Sequence, residues 1–233
     1  MIDGLKDLSE TDLKQWIENS LAEKSHILAA GVQGQTLKYQ DQQNSLVIKT
    51  PHGRGLIKYF HILMLRHEYA VYKKLQDYSF APRCYGLLAG RYLVIEYIDA
   101  KPIRHARPQN ELLFFQQLFT AIQQLHEIGI AHFDLKKKDN LLVINGERPC
   151  LIDFGTAVIR KTGCCAIFNH FWYRLAKQFD YNAWIKYKYK KQLELISAGD
   201  RPYYHRTIIE IVSRKLKRFY KDNIYDKRKA GKK

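Results

Sequence analysis

Asp134, Asn140 and Asp153 are the residues whose types and spacing could do chemistry, and all three fall within the stretch 130–157, IAHFDLKKKDNLLVINGERPCLIDFGTA. Each carboxylate ends a short apolar run, and the amide stands between them. Moving a phosphoryl group needs a carboxylate for the acceptor hydroxyl and oxygen ligands for Mg²⁺. The stretch reads as turn, loop, strand (140–144), turn (Asn145-Gly146) and strand (150–152). The two carboxylates then project from the ends of a β-ribbon into one cleft.

His132-Phe133-Asp134-Leu135-Lys136 resembles the H-R-D-L-K catalytic loop of the protein-kinase-like superfamily, and Asp153-Phe154-Gly155 its metal-binding D-F-G. The resemblance implies ATP as donor and Mg²⁺ as cofactor. It gives Asp134 the proton of the acceptor hydroxyl, Lys136 the charge on the transferred group, and Asp153 a metal ion. A second metal ligand stays open between Asp139 and Asn140. Counting from Asp134, the family's asparagine position holds Asp139; counting back from Asp153, it holds Asn140, as a one-residue insertion within 136–139 would give. His132 is read as a structural hydrogen-bonding residue.

The elements that must position these groups lie on both sides. Residues 26–30, 35–40 and 45–50 read as three short strands. The turn 31–36, GVQGQT, stands where the family carries a glycine-rich loop over phosphates, with Gly31 and Gly34 keeping side chains out of the way. Leu46-Val47-Ile48-Lys49 resembles the V-A-I-K strand, so Lys49 would grip phosphates while paired with Glu68 on a helix over 59–75. Lys58 is the rival lysine, at the entrance to that helix. Residues 84–98 read as two strands around Ala89-Gly90. By resemblance the second is the hinge, with Ile95 as gatekeeper, and Glu96 and Ile98 offering backbone groups to adenine.

The lobes should join near 99–102. Residues 110–128 carry Leu112, Phe115, Leu118, Ile122 and Leu125 at helical period, a buried helix leading into the catalytic stretch. Trp172, Leu175, Phe179, Trp184 and Ile185 are expected to close a small second lobe. At the other end, Ser9-x-x-Asp12 opens an amphipathic helix over 9–24, laid against the first lobe.

Besides the late position of Asn140, two features depart from the family pattern. Phe133 replaces the arginine that pairs with a phosphorylated activation segment, so control by such phosphorylation is not expected. No A-P-E-like triplet follows Gly155, and 156–170 is short for a peptide-docking segment.

Composition sets the outer bounds. The chain has 233 residues, 46% of them hydrophobic and 13% aromatic, too apolar for disorder. No run reaches the ~18 apolar residues of a membrane span. The opening MIDGLKDLSETDLKQW lacks a signal-peptide pattern, and four cysteines without C-x-x-C spacing point to a cytoplasmic compartment. A net charge of +16 favours an anionic partner. From 214 to 233, ten basic residues face two acidic ones, a tail suited to RNA or to the inner face of an anionic membrane.

The expected fold is therefore α+β and two-lobed: an antiparallel sheet with one helix above a shortened, mainly helical lobe. The expected divisions are an extension (1–24), N-lobe (25–98), C-lobe (99–213) and basic tail (214–233), in a monomer. The compact form resembles the RIO group and bacterial lipopolysaccharide-core sugar kinases. The acceptor is then a protein serine or threonine hydroxyl, or a lipopolysaccharide sugar. The competing reading is an inactive pseudokinase that binds nucleic acid or membrane through its basic end.

Overall fold

The computed structural model describes residues 2, 4–5, 7–31, 34–163 and 166–206. The basic tail expected over 214–233, the centre of the glycine turn (Val32 and Gln33) and the cysteines 164 and 165 lie outside the described residues.

Ser9 caps helix α1 (Glu10–Glu23): its Oγ accepts a hydrogen bond from the Asp12 amide at 3.1 Å, satisfying one of the free donors of the first turn. Five strands follow around a second helix: β1 (Ile27–Ala30), β2 (Gly34–Gln40), β3 (Ser45–Pro51), α2 (Gly55–Tyr72), β4 (Cys84–Leu88) and β5 (Tyr92–Glu96). They form one antiparallel sheet in the order β1-β2-β3-β5-β4.

Strand periodicity decides what each face of this sheet does. Along β3, Leu46 and Ile48 are fully buried among Leu13 and Ile17 of α1, Leu37, Val94 and Tyr92. Lys49, one step out of that phase, turns to the opposite face, where α2 lies. Gly34 is required by the sheet itself, because a Cβ there would stand 1.8 Å from the Thr50 carbonyl oxygen. Gly31 donates to the Gly34 carbonyl at 2.9 Å, and a Cβ at Gly31 would stand in ordinary contact with that oxygen, at 3.9 Å.

The second lobe carries β6 (Lys101–Pro102), α3 (Glu111–Glu127), β7 (Ile130–Ala131), β8 (Leu141–Ile144), β9 (Arg148–Leu151), β10 (Val158–Ile159) and α4 (Ile167–Lys188). β6, β8 and β9 make a small antiparallel sheet, and β7 pairs with β10. The β8–β9 turn is Asn145-Gly146, both at positive φ, as a tight hairpin needs. α3 buries Phe114, Phe115, Leu118, Ala121, Ile122 and Leu125 against Trp184 and Ile185 of α4, in a core that continues up to Val71 and Leu93 of the first lobe.

Two apolar expectations fail. Leu112 is 64% exposed and Trp172 49% exposed. Both sit in the first turns of their helices, where no described residue covers them.

Candidate active site

Lys49 joins the two lobes. Its Nζ lies 2.7 Å from Glu68 Oε1 on α2 and 2.9 Å from Asp153 Oδ1. Burial alone would push the lysine pKa down, but the two carboxylates outweigh it and hold the ammonium above its ordinary range. For Asp153, burial works to raise the pKa; the charge and hydrogen bond of Lys49, helped by Lys137, reverse it and hold the carboxyl below its usual range. Lys58, within the first turns of α2, is not the lysine that meets Glu68.

Asp153 has φ +66, a left-handed backbone that aspartate tolerates better than bulky residues, and its side chain stays 40% exposed toward the cleft. The next residue, Phe154, is fully buried between Tyr72 of α2 and His132, with ring centroids 5.3 and 4.8 Å away. This apolar anchor ties the position of Asp153 to α2. His67 of α2 adds a bond from its Nε2 to the Ala157 carbonyl at 2.7 Å.

Across the cleft, the Asn140 Nδ2 donates to the Asp134 carbonyl oxygen at 3.1 Å and faces Asp134 Oδ2 at 3.5 Å. Its backbone carbonyl accepts from the Ile152 amide at 3.0 Å, which fixes the loop beside the strand that delivers Asp153. A short 3₁₀ turn, Lys138–Asn140, ends the loop and leads into β8. Asp139 points elsewhere and pairs with Arg104. Lys136 stands 5.7 Å over the Phe179 ring, whereas Lys137 brings its Nζ within 3.8 Å of Asp153 Oδ2.

Beneath the loop lies a carboxylate that sequence reasoning missed. Asp180 of α4 is 0% exposed and accepts from the His132 amide (2.8 Å), the Phe133 amide (2.8 Å) and His126 Nε2 (3.0 Å). Those bonds hold Phe133 at φ +70, a costly conformation for a bulky residue, and so aim Asp134 at the cleft. His132 donates from Nε2 to the Ile152 carbonyl, 2.9 Å away, in keeping with a structural role. Tyr187 of α4 donates to the Leu135 carbonyl at 2.5 Å, a second brace on the same loop.

At the end of β5, the Glu96 carboxylate turns back to accept from the Arg83 amide at 3.0 Å. The Ile98 carbonyl accepts from the Ala100 amide at 2.9 Å.

Among the described residues, no three His, Cys, Asp or Glu side chains gather into a metal cage. The part-exposed Asp153 carboxylate, with the buried Asn140 amide beside Asp134, is a donor set of the kind that would suit Mg²⁺. That ion takes one or two carboxylates and completes its shell with phosphate oxygens and water.

No protein-family model matches the chain. Over 98 residues it is 31% identical to a Dictyostelium discoideum protein, probable serine/threonine-protein kinase fnkB, a match that takes in 38% of this chain and 18% of that protein. Among solved structures it is similar to two of the Rio2 kinase from Chaetomium thermophilum, one of them an ADP/Mg²⁺-phosphoaspartate complex. The TM-scores are 0.55 for the complex and 0.57 for the other, each at 16% identity. Both alignments cover 82% of this chain, and it spans 66% and 67% of the respective Rio2 chains.

Proposed function

We propose that this chain, which has the two-lobed protein-kinase-like fold, is an ATP- and Mg²⁺-dependent phosphotransferase acting on a hydroxyl. The observation that carries the reading is the Lys49–Glu68–Asp153 cluster, next to which the Ile152 amide bonds the carbonyl of Asn140, whose side chain bonds Asp134. An arrangement that commits a buried lysine to two carboxylates at the mouth of a cleft is expensive unless an anionic ligand and a cation share it.

In this reading Lys49, held by Glu68, grips the donor's α- and β-phosphates. Asp153 and Asn140 hold Mg²⁺, which when bound neutralises phosphate charge. Asn140 is preferred to Asp139 because Asp139 is engaged by Arg104. Asp134 orients the acceptor hydroxyl and takes its proton as the oxygen attacks. Lys137, beside Asp153, joins Lys136 as a candidate to offset charge on the transferred group. Glu96 and Ile98 present backbone groups to adenine, under the turn that begins at Gly31 and ends at Gly34. Positioning and charge compensation supply most of the rate.

The fnkB and Rio2 likenesses support a kinase-type activity, and the Rio2 complex with ADP/Mg²⁺ supports the nucleotide and the metal. The acceptor is a protein serine or threonine, or a lipopolysaccharide-core sugar. The pseudokinase alternative rested on the late position of Asn140, and the turn that returns Asn140 to Asp134 weighs against it.

The test is transfer of labelled γ-phosphate from Mg-ATP to a generic protein, to the enzyme itself and to a lipopolysaccharide extract. Label in one acceptor, lost in both Asp134→Ala and Asp153→Ala, is the expected result. Turnover that survives either substitution would overturn the assignment of roles.

A further inference from the structure

The end of α2, strand β4 and the segment that joins them enclose a cavity of about 570 Å³, a volume that holds a small molecule. Lys49, Glu68, Asp134, Asn140 and Asp153 do not line it. Of the residues given a role in the nucleotide cleft, Glu96 touches it, on the side where its carboxylate meets the Arg83 amide.

The walls combine tyrosine rings with cations. Tyr69 and Tyr85 line the cavity; Lys73 Nζ lies 5.2 Å from the first ring and Arg83 Cζ 5.3 Å from the second. Other polar groups on the walls are engaged by the protein itself. Tyr78 donates to the Ala121 carbonyl at 2.9 Å, and the Cys84 thiol to the Val94 carbonyl at 3.7 Å. Tyr72 is the exception. It is 2% exposed, and its hydroxyl has no hydrogen-bond partner among the described residues. Burial first, and then the charge of Glu68, hold its pKa well above the usual tyrosine range, so the hydroxyl keeps its proton. A buried donor without an acceptor is unfavourable, and a ligand in the cavity can supply one.

We propose that this cavity is a second small-molecule site, separate from the nucleotide cleft, and that it takes a planar aromatic carboxylate. The tyrosine rings offer stacking surface, Tyr72 offers the donor, and Lys73 and Arg83 offer positive charge. A neutral aromatic uses only the first two. An aromatic cation meets two like charges against the one carboxylate of Glu96. The Tyr72 ring also meets Phe154 edge-on, with centroids 5.3 Å apart, so one wall of the site rests on the residue after Asp153. The proposal does not depend on the phosphotransfer reading.

The experiment titrates the full chain by calorimetry with 2-naphthoate and, beside it, the neutral isostere 2-naphthamide. The naphthoate should bind, and the amide should bind at least about tenfold more weakly. Tyr72→Phe keeps the ring on Phe154 and removes the donor, so naphthoate affinity should fall by about tenfold or more. Because the hydroxyl has no partner to lose, the same substitution should leave the melting temperature unchanged or raise it. Arg83→Gln, at an exposed side chain, should weaken the naphthoate and not the amide. Absence of naphthoate binding, equal affinity for the amide, or unchanged affinity in Tyr72→Phe overturns the proposal. A lowered melting temperature in Tyr72→Phe also overturns it, since the hydroxyl then already has a partner. So does displacement of the naphthoate by excess Mg-ADP, which would put it in the nucleotide cleft. None of these readouts is turnover, so the catalytic reading stands or falls on its own test.

Discussion

Two carboxylate centres lie in the same molecule and are finished in opposite ways. Asp180 is sealed: three protein donors satisfy it, and it has no exposed surface. Asp153 is open: its partners are two lysines, and 40% of its side chain faces the cleft. A sealed centre fixes geometry and has no capacity left for a ligand. An open one keeps lone pairs and field available for what enters the cleft. Asp180 thus holds the loop that carries Asp134, while Asp153, after β9, is left open.

Substitutions that keep shape but change hydrogen bonding should separate the two centres. The largest effect is expected for Asp180→Asn, where an NH₂ replaces an acceptor facing buried N–H donors. Leaving such groups unpaired costs about 1–3 kcal/mol each, so unfolding by heat should shift down on the order of 10 °C, with activity lost in proportion. Glu68→Gln should do the reverse. It keeps a hydrogen bond to Lys49 but removes the charge, and kcat/KM should fall ~10-fold or more while the melting temperature moves by only a few degrees.

A smaller effect is expected at Asp139, whose pair with Arg104 is largely exposed. Asp139→Asn should change stability by less than about 1 kcal/mol and leave the Mg²⁺ dependence of turnover in place. A tenfold change in that dependence would make Asp139, rather than Asn140, the second metal group.

The smallest effect is in pH. Asp153 is held below the ordinary carboxylate range, so its stabilising contribution is present above about pH 4 and is lost as pH falls through the lowered value. Lys49 is held above the ordinary lysine range, so its contribution is present below about pH 10.4 and is lost as pH rises through the raised value. The stability gap between wild type and Asp153→Asn, followed by denaturant titration, should therefore stay flat from about pH 6 to 9 and narrow only below the ordinary carboxylate range.

The open centre was legible because its residues are close in sequence or stand on elements with clear periods. Asp134, Asn140 and Asp153 share one stretch, and the parity of β3 places Lys49 opposite Leu46 and Ile48. The sealed centre was not legible. Asp180 stands 46 positions after Asp134 in a helix whose aromatic stripe hides one carboxylate, and only the folded chain brings it under the loop. The same limit explains Leu112 and Trp172, since periodicity counts apolar positions without knowing which have a partner. Gly34 was read for its freedom near phosphate, yet the close approach of Thr50 already demands glycine there. Lys136 and Lys137 are neighbours whose directions only the loop geometry separates.

The most direct test of the open cleft is calorimetric binding of ATP with and without Mg²⁺, to wild type and to Asp153→Ala. The account predicts that Mg²⁺ tightens ATP binding to the wild type and has no such effect on the variant. Binding indifferent to Mg²⁺ in the wild type, or equally Mg²⁺-dependent in Asp153→Ala, would contradict it.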